Sequence, residues 1–156
     1  MKNFALEFQV GDDRRLYQHA IGTTQTAAQA GESPRRNDEA YPQWGDGYIW
    51  EPALQVTHVD GNTSAALSYE SATRTDEGVD RELLRIQLRD PAYPFNVTLC
   101  FRAHRQRDLI EQWAEIRHRE GGTVKLQHMA SSSLLLSTNS LGRRGWSSMT
   151  RERYDF

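Results

Sequence analysis

Apolar and polar residues alternate along several short stretches of this chain, as they do in strands with one buried face. The first stretch runs from Phe4 to Val10 and ends at the turn-forming sequence Gly11-Asp12-Asp13. Four others follow the same period, at residues 54–56, 84–88, 95–102 and 124–130. Short strands separated by turn signals about every 8–12 residues are typical of an all-β sandwich or barrel.

Turn sequences at the ends of these stretches indicate how some strands connect. A Pro-containing turn at residues 90–94 joins the stretches at 84–88 and 95–102. Asp60-Gly61 follows the short stretch at 54–56 and is a favoured hairpin dipeptide. The sequence therefore predicts antiparallel neighbours.

Residues 108–118 fit a helix or a strand equally well on periodicity alone. Their apolar positions suit helical spacing at least as well as strand spacing: Leu109, Ile110, Trp113 and Ile116. Because the segment lies between two clear strand patterns and precedes the glycine turn at 120–122, we predict an edge or hairpin strand. Residues 22–37 have no clean apolar face and predict a long surface loop.

Length and composition indicate one folded domain. The chain has 156 residues, of which 37% are hydrophobic and 26% charged, as in ordinary globular proteins. We predict an antiparallel β-sandwich over residues 1–137, followed by a polar, Arg-rich tail of uncertain structure at 138–156.

Charge and hydropathy argue against two classes of partner. The net charge is −2, and 17 Arg and 2 Lys are scattered among acids, so we expect no nucleic-acid partner. No apolar run is long enough for a membrane span, and none resembles a signal peptide at the start, which leaves the compartment open because a leader can be removed. Cys100 is the only cysteine and lies within an alternating stretch, which predicts a small core or flank residue rather than a reactive thiol.

The usual catalytic and metal-binding patterns do not occur. The five histidines show no metal-ligand spacing with one another or with Cys100. Glu111 and Glu115 share one face of a strand, which favours a solvated charged face over an acid/base pair. Ser131-Ser132-Ser133 lacks the turn that exposes a nucleophile. We therefore expect no catalytic residues, metal or cofactor in this chain.

The most unusual segment is residues 41–53, the aromatic loop, where four aromatic residues, two prolines and two glycines occur together. Sugars stack their C–H faces on aromatic rings and hydrogen-bond to nearby polar groups. Four residues are therefore candidate sugar-binding residues: Trp44, Asp46, Tyr48 and Trp50. Composition alone equally allows the rings to close one end of the sandwich.

The aromatic loop resembles the family 36 glycoside hydrolases, the α-galactosidase family, whose N-terminal domains carry Tyr-Pro-x-x-Gly-x-Gly-Asp-Phe-Arg-x-Pro-Ala. The matching positions are Tyr41, Pro42, Gly45, Gly47, Pro52 and Ala53. Further agreement occurs at residues 60–61, 88–90, 108–113, 115–118 and 130–133, so the resemblance extends from about residue 6 to residue 136.

The resemblance implies a β-supersandwich domain that precedes a (β/α)8 barrel. In this family the barrel holds the nucleophile and the acid/base carboxylate of a retaining mechanism. A chain without the barrel is expected to be no enzyme by itself and to have the barrel, α-galactoside sugars and further copies of the chain as partners. Tyr48 and Trp50 stand where the family has the Asp and Arg that can line the sugar site, which leaves ring stacking as the expected contact.

The end of the chain departs from the family, because residues 138–156 do not resemble the strands that should follow. We therefore expect about half of a supersandwich, from a truncated, frame-shifted or deliberately cut chain, and self-association through its unpaired edges. The leading hypothesis is a non-catalytic assembly domain. The alternative is a stand-alone carbohydrate-binding module, and a small sugar-converting enzyme such as a mutarotase ranks lowest.

Overall fold

The computed structural model describes residues 5–22, 35–137 and 151–155. Strands dominate these residues, which confirms the all-β fold class. The strands are β1 (Ala5–Val10), β2 (Leu16–Gly22), β3 (Leu54–Thr57), β4 (Ser68–Asp76), β5 (Arg81–Arg89), β6 (Phe95–His104), β7 (Leu109–His118), β8 (Lys125–Met129), β9 (Ser133–Ser137) and β10 (Arg151–Asp155). One 3-10 turn occurs in these residues, at Arg36–Asp38. In the described part, no helix is long and apolar enough to cross a membrane.

Every pair formed by the described strands is antiparallel. β4, β5, β6 and β7 form a four-stranded sheet in that order, and three two-stranded ribbons pair β1 with β2, β3 with β8, and β9 with β10. Consecutive strands therefore meander through the large sheet. The arrangement is that of an antiparallel β-sandwich N-terminal domain.

The core covers one face of the four-stranded sheet. Ile86 of β5 lies opposite Leu99 of β6, and Leu54 and Val56 of β3 join the same buried cluster. Phe8 of β1 packs on Phe101 with ring centroids 4.8 Å apart. The ribbons β1–β2 and β3–β8 thus supply the apolar side chains that cover this face, and burial of such surface is the main stabilising contribution.

The opposite face of the four-stranded sheet carries ion pairs. Glu115 of β7 lies 3.2 Å from the Arg85 guanidinium, and Glu111 lies 3.0 Å from that of Arg102. Arg102 also contacts Glu77 at 2.7 Å. Glu111 and Glu115 therefore belong to a charged face, as predicted from their spacing.

Residues 109–118 form a strand, which settles the choice between helix and strand. β7 pairs with β6 along its whole length, from Leu109 opposite His104 to His118 opposite Phe95. The cross-strand partner decides the conformation here, since the apolar spacing alone does not. Among the described residues β7 has β6 as its one paired neighbour, in agreement with the prediction of an edge or hairpin strand.

The structure corrects some other predictions, and some concern residues outside the described ranges. Asp60-Gly61 forms a turn, in which the His58 N–H donates to the Asn62 carbonyl at 2.8 Å, but no hairpin follows because β3 pairs with β8. β2, β4, β9 and β10 were not predicted as strands. β4 is mostly exposed and lacks apolar alternation. Of the predicted loop at 22–37 and the tail at 138–156, residues 23–34, 138–150 and 156 lie outside the described residues. Within the tail, β10 pairs with β9.

Candidate functional site: the aromatic loop

Both ends of the aromatic loop are attached to the core. The Tyr41 hydroxyl is buried and donates to the Ala130 carbonyl at 3.0 Å. The Pro42 carbonyl accepts a hydrogen bond from the Ala53 N–H at 2.8 Å, and the Trp44 N–H donates to the Leu54 carbonyl at 3.0 Å. These contacts fix the two ends of the loop, so only its middle extends from the sandwich.

Two glycines turn the chain inside the loop. Gly45 has φ +92° and Gly47 has φ +73°, values that residues with a Cβ rarely adopt. At Gly45 space is also lacking, because a Cβ there would lie 2.6 Å from the Ser64 Cα. The Gly-x-Gly sequence thus lets the loop turn tightly against the segment at Ser64.

The loop presents two of its aromatic rings to solvent. Trp44 is 44% exposed and Trp50 is 48% exposed, while Ile49 between them in sequence is 81% exposed. Tyr48 is only 8% exposed and meets Trp50 edge to face, with ring centroids 5.4 Å apart. Of the three predicted aromatic candidates, Trp44 and Trp50 are accessible, whereas Tyr48 is buried and contacts Trp50.

Asp46, the fourth candidate, takes part in a group of charges that we call the charged cluster: Asp13, Arg15, Arg36, Glu39 and Asp46. The Asp46 carboxylate pairs with Arg15, and its Oδ2 lies 3.6 Å from Arg36. Arg36 also donates to the Asp46 carbonyl oxygen. The middle of the aromatic loop is therefore tied to the β1–β2 turn and to the 3-10 turn.

Glu39 lies at the buried centre of the charged cluster. Its Oε1 is 3.3 Å from Arg15, its Oε2 is 3.3 Å from Arg36, and the Gln43 amide donates to Oε1 at 2.8 Å. Burial raises the pKa of the Glu39 carboxyl above its usual value, although the Gln43 hydrogen bond and the two arginines oppose the shift. The sequence alone did not reveal this residue, because its partners are up to 24 positions away.

The arrangement suits binding better than catalysis. Asp46 and Glu39 are both held by arginines, and neither is paired with a histidine or a hydroxyl that it could activate. No group of three His, Cys, Asp or Glu side chains in the described residues could hold a metal ion. Exposed indole rings on a firmly attached loop are a surface for stacking.

A family model identifies the chain's relatives. The model described as the glycosyl hydrolase family 36 N-terminal domain matches residues 8–142. The chain belongs to this family. No curated protein matches it.

Solved structures share the fold of this family 36 N-terminal domain. The crystal structures of the family 36 α-galactosidases AgaB and AgaA from Geobacillus stearothermophilus each match 85% of this chain with a TM-score of 0.72, at 20% and 21% identity. The α-galactosidase from Lactobacillus brevis matches 99% of it with a TM-score of 0.69 and 18% identity. The matches cover 22%, 23% and 26% of those chains, so this chain spans about a quarter of their length.

The family 36 N-terminal domain contains a second polar cluster that sequence analysis missed. The His58 imidazole is buried and stacks on Tyr93 with ring centroids 3.7 Å apart, and its Nδ1 lies 2.8 Å from Glu120. The Tyr93 hydroxyl donates to Asp60 at 2.8 Å and accepts from the Asn62 amide at 2.9 Å. No local signal could predict it, because His58 and Glu120 are 62 residues apart.

Proposed function

We propose that this family 36 N-terminal domain is a non-catalytic part of an α-galactosidase-like glycoside hydrolase. It serves assembly with a catalytic (β/α)8 barrel and with further copies of the chain. Its aromatic loop contributes the Trp44 and Trp50 rings to a galactoside site that other parts complete. The observation that carries the proposal is the exposure of these two rings on a loop whose two ends are bound to the core.

The chemistry of galactosides supports this use of the loop. One face of galactose presents C–H groups that stack on an indole ring, and the hydroxyls need directional polar partners. Trp44 and Trp50 supply the rings, while Tyr48 packs against Trp50 and restricts it. Since Tyr48 and Trp50 replace the Asp and Arg of the family pattern, we infer that stacking dominates over hydrogen bonding at these positions.

The proposal assigns no catalytic role to this chain. A retaining glycosidase requires two carboxyl groups about 5–5.5 Å apart on either side of the sugar. In the aromatic loop the Asp46 carboxylate pairs with Arg15 and lies 3.6 Å from Arg36, and we propose a structural use for it rather than that of a nucleophile. We therefore expect no release of p-nitrophenol from p-nitrophenyl α-galactoside by the pure chain.

Sugar binding is tested by titrating the pure chain with galactose, melibiose and raffinose and following tryptophan fluorescence. We expect a saturable change that Trp50→Ala abolishes and that Trp113→Phe, the control, retains, because Trp113 lies on the charged face of the sheet. No response of the parent chain up to tens of millimolar, on the order of the weakest specific affinities, would contradict the sugar contact.

Assembly is tested by sedimentation velocity of the same protein. Ile49 is apolar and 81% exposed, and such surface is typically covered by a partner. We expect concentration-dependent self-association that Ile49→Ser weakens and Val79→Ser, at an exposed turn residue outside the loop, does not. A monomer that nevertheless binds sugar would favour the second candidate function, a stand-alone carbohydrate-binding module, which the exposed indole pair also suits.

A further inference from the structure

The charged cluster contacts the part of the aromatic loop whose ordering costs the most conformational entropy. Glycine loses more conformational freedom on folding than any other residue, so a Gly-x-Gly turn is costly to order. Asp46 is the side chain between the two glycines. Its carboxylate pairs with Arg15 and has Oδ2 3.6 Å from Arg36, and its carbonyl oxygen accepts a hydrogen bond from Arg36.

The cluster in turn is held by the sandwich. Arg15 directly precedes β2 and contacts Asp13, Glu39 and Asp46, and its side chain is largely buried. Gln43 connects Glu39 to the segment just before β4, because its side-chain amide oxygen accepts a hydrogen bond from the Leu67 N–H at 2.8 Å. Partly buried charges with several partners hold a geometry more firmly than exposed pairs do.

We propose that Asp46 is a positioning residue, whose ion pairs with Arg15 and Arg36 hold the aromatic loop in the conformation that presents Trp44 and Trp50 to solvent. This inference rests on the proposed function where it concerns sugar affinity. It gives Asp46 a role beneath the binding surface instead of the direct sugar contact predicted from the sequence. Preorganisation of this kind strengthens binding because the loop is ordered before the ligand arrives.

The first test needs no ligand. Trp44→Phe, Trp113→Phe and Trp146→Phe together leave Trp50 as the single tryptophan. With excitation that tyrosine does not absorb, its acrylamide quenching and anisotropy report loop mobility. In this background Asp46→Asn should raise the quenching constant by roughly twofold and lower the anisotropy, as expected for a loosened loop. Asp46→Glu, which retains the charge, should restore part of the parent behaviour. Glu51→Gln, which removes an exposed carboxylate from the same loop, is the matched control and should change neither reading.

A double-mutant cycle distinguishes positioning through Arg15 from an independent effect of Asp46. Asp46→Asn and Arg15→Gln should raise the quenching constant similarly, and the double variant should be no more mobile than the worse single variant. Additive effects would overturn the proposal. If Arg15→Gln does not fold, Arg36→Lys replaces it, since Lys keeps the charge but lacks the two guanidinium nitrogens with which Arg36 contacts Glu39 and Asp46 at once.

The second test uses melibiose and the chain with all its tryptophans. Asp46→Asn should raise the Kd for melibiose roughly tenfold, as expected when a preorganised loop is loosened, and Asp46→Glu should recover part of the affinity. A loss of affinity with unchanged Trp50 mobility would show a direct sugar contact and overturn positioning. If the parent chain binds no melibiose, the proposed sugar contact fails, while the ligand-free readings still decide the role of Asp46.

Discussion

The His58 imidazole lies 2.8 Å from the Glu120 carboxylate, so the turn after β3 is joined to the loop after β7. A carboxylate only accepts hydrogen bonds, hence Nδ1 of His58 is the donor. The second carboxylate oxygen accepts the Val59 N–H at 3.1 Å. Tyr93 and Phe95 cover the ring, Phe95 edge to face at 5.6 Å.

Glu120→Gln should destabilise the domain by about 1–3 kcal/mol near neutral pH, since a charged hydrogen bond to a buried ring is lost. Burial acts to raise the pKa of Glu120, but the hydrogen bonds from His58 and Val59 outweigh it and hold the pKa below the ordinary value of 4.5. A carboxyl group with a lowered pKa stabilises the folded state above its unfolded pKa, and this contribution is lost as the pH falls through the folded value.

The measurement is urea unfolding of both proteins at several pH values. The stability difference between parent and Glu120→Gln should be largest above the ordinary value of 4.5 and shrink as the solution is acidified further. Glu70→Gln, which alters an exposed carboxylate on β4, serves as the control. A stability difference that does not depend on pH would contradict the assigned role.

The two glycines of the aromatic loop should differ in their tolerance of alanine. Gly47→Ala should cost about 1–2 kcal/mol, the penalty of the left-handed conformation alone, because nothing lies within 4 Å of the added Cβ. Gly45→Ala should cost more than about 3 kcal/mol, because its Cβ would also collide with the Ser64 backbone. Thermal and urea unfolding measure both changes, and equal losses would mean that the contact with Ser64 does not hold.

Cys100 should be unreactive in the native protein. Its thiol is buried, and burial, together with the charge of Glu115 3.6 Å away, raises its pKa to about 11. The thiolate is the nucleophile, so iodoacetamide should label the folded chain very slowly at neutral pH and the urea-unfolded chain readily. Fast labelling of the native state, followed by mass spectrometry, would contradict this environment.

Glu115→Gln tests how much the charge of Glu115 contributes to the raised pKa of Cys100. Without the negative charge the pKa of Cys100 should fall, and labelling of the native protein at alkaline pH should become faster. Glu111→Gln is the matched control, since Glu111 lies on the same strand face but contacts Arg102 and His104. Unchanged labelling of Glu115→Gln would show that burial alone protects the thiol.

The alternation of apolar residues was sufficient to predict β1, β3, β5, β6 and β8. A strand with one buried face carries its period in its own sequence, so no partner needs to be known. β4 was not predicted, because it is mostly exposed and its sequence carries no apolar alternation; main-chain pairing with β5 holds it. β7 could be assigned only by its neighbours, since its periodicity fits two conformations.

By itself the sequence determined the fold class, the likeness to family 36 and the position of the aromatic loop, because each is written in local order and spacing. Tertiary structure decided which loop residues face solvent. It exposed Trp44 and Trp50, buried Tyr48 and bound Asp46 to Arg15 and Arg36. The partners of Asp46 are 31 and 10 positions away along the chain, and only the folded backbone brings such groups into contact.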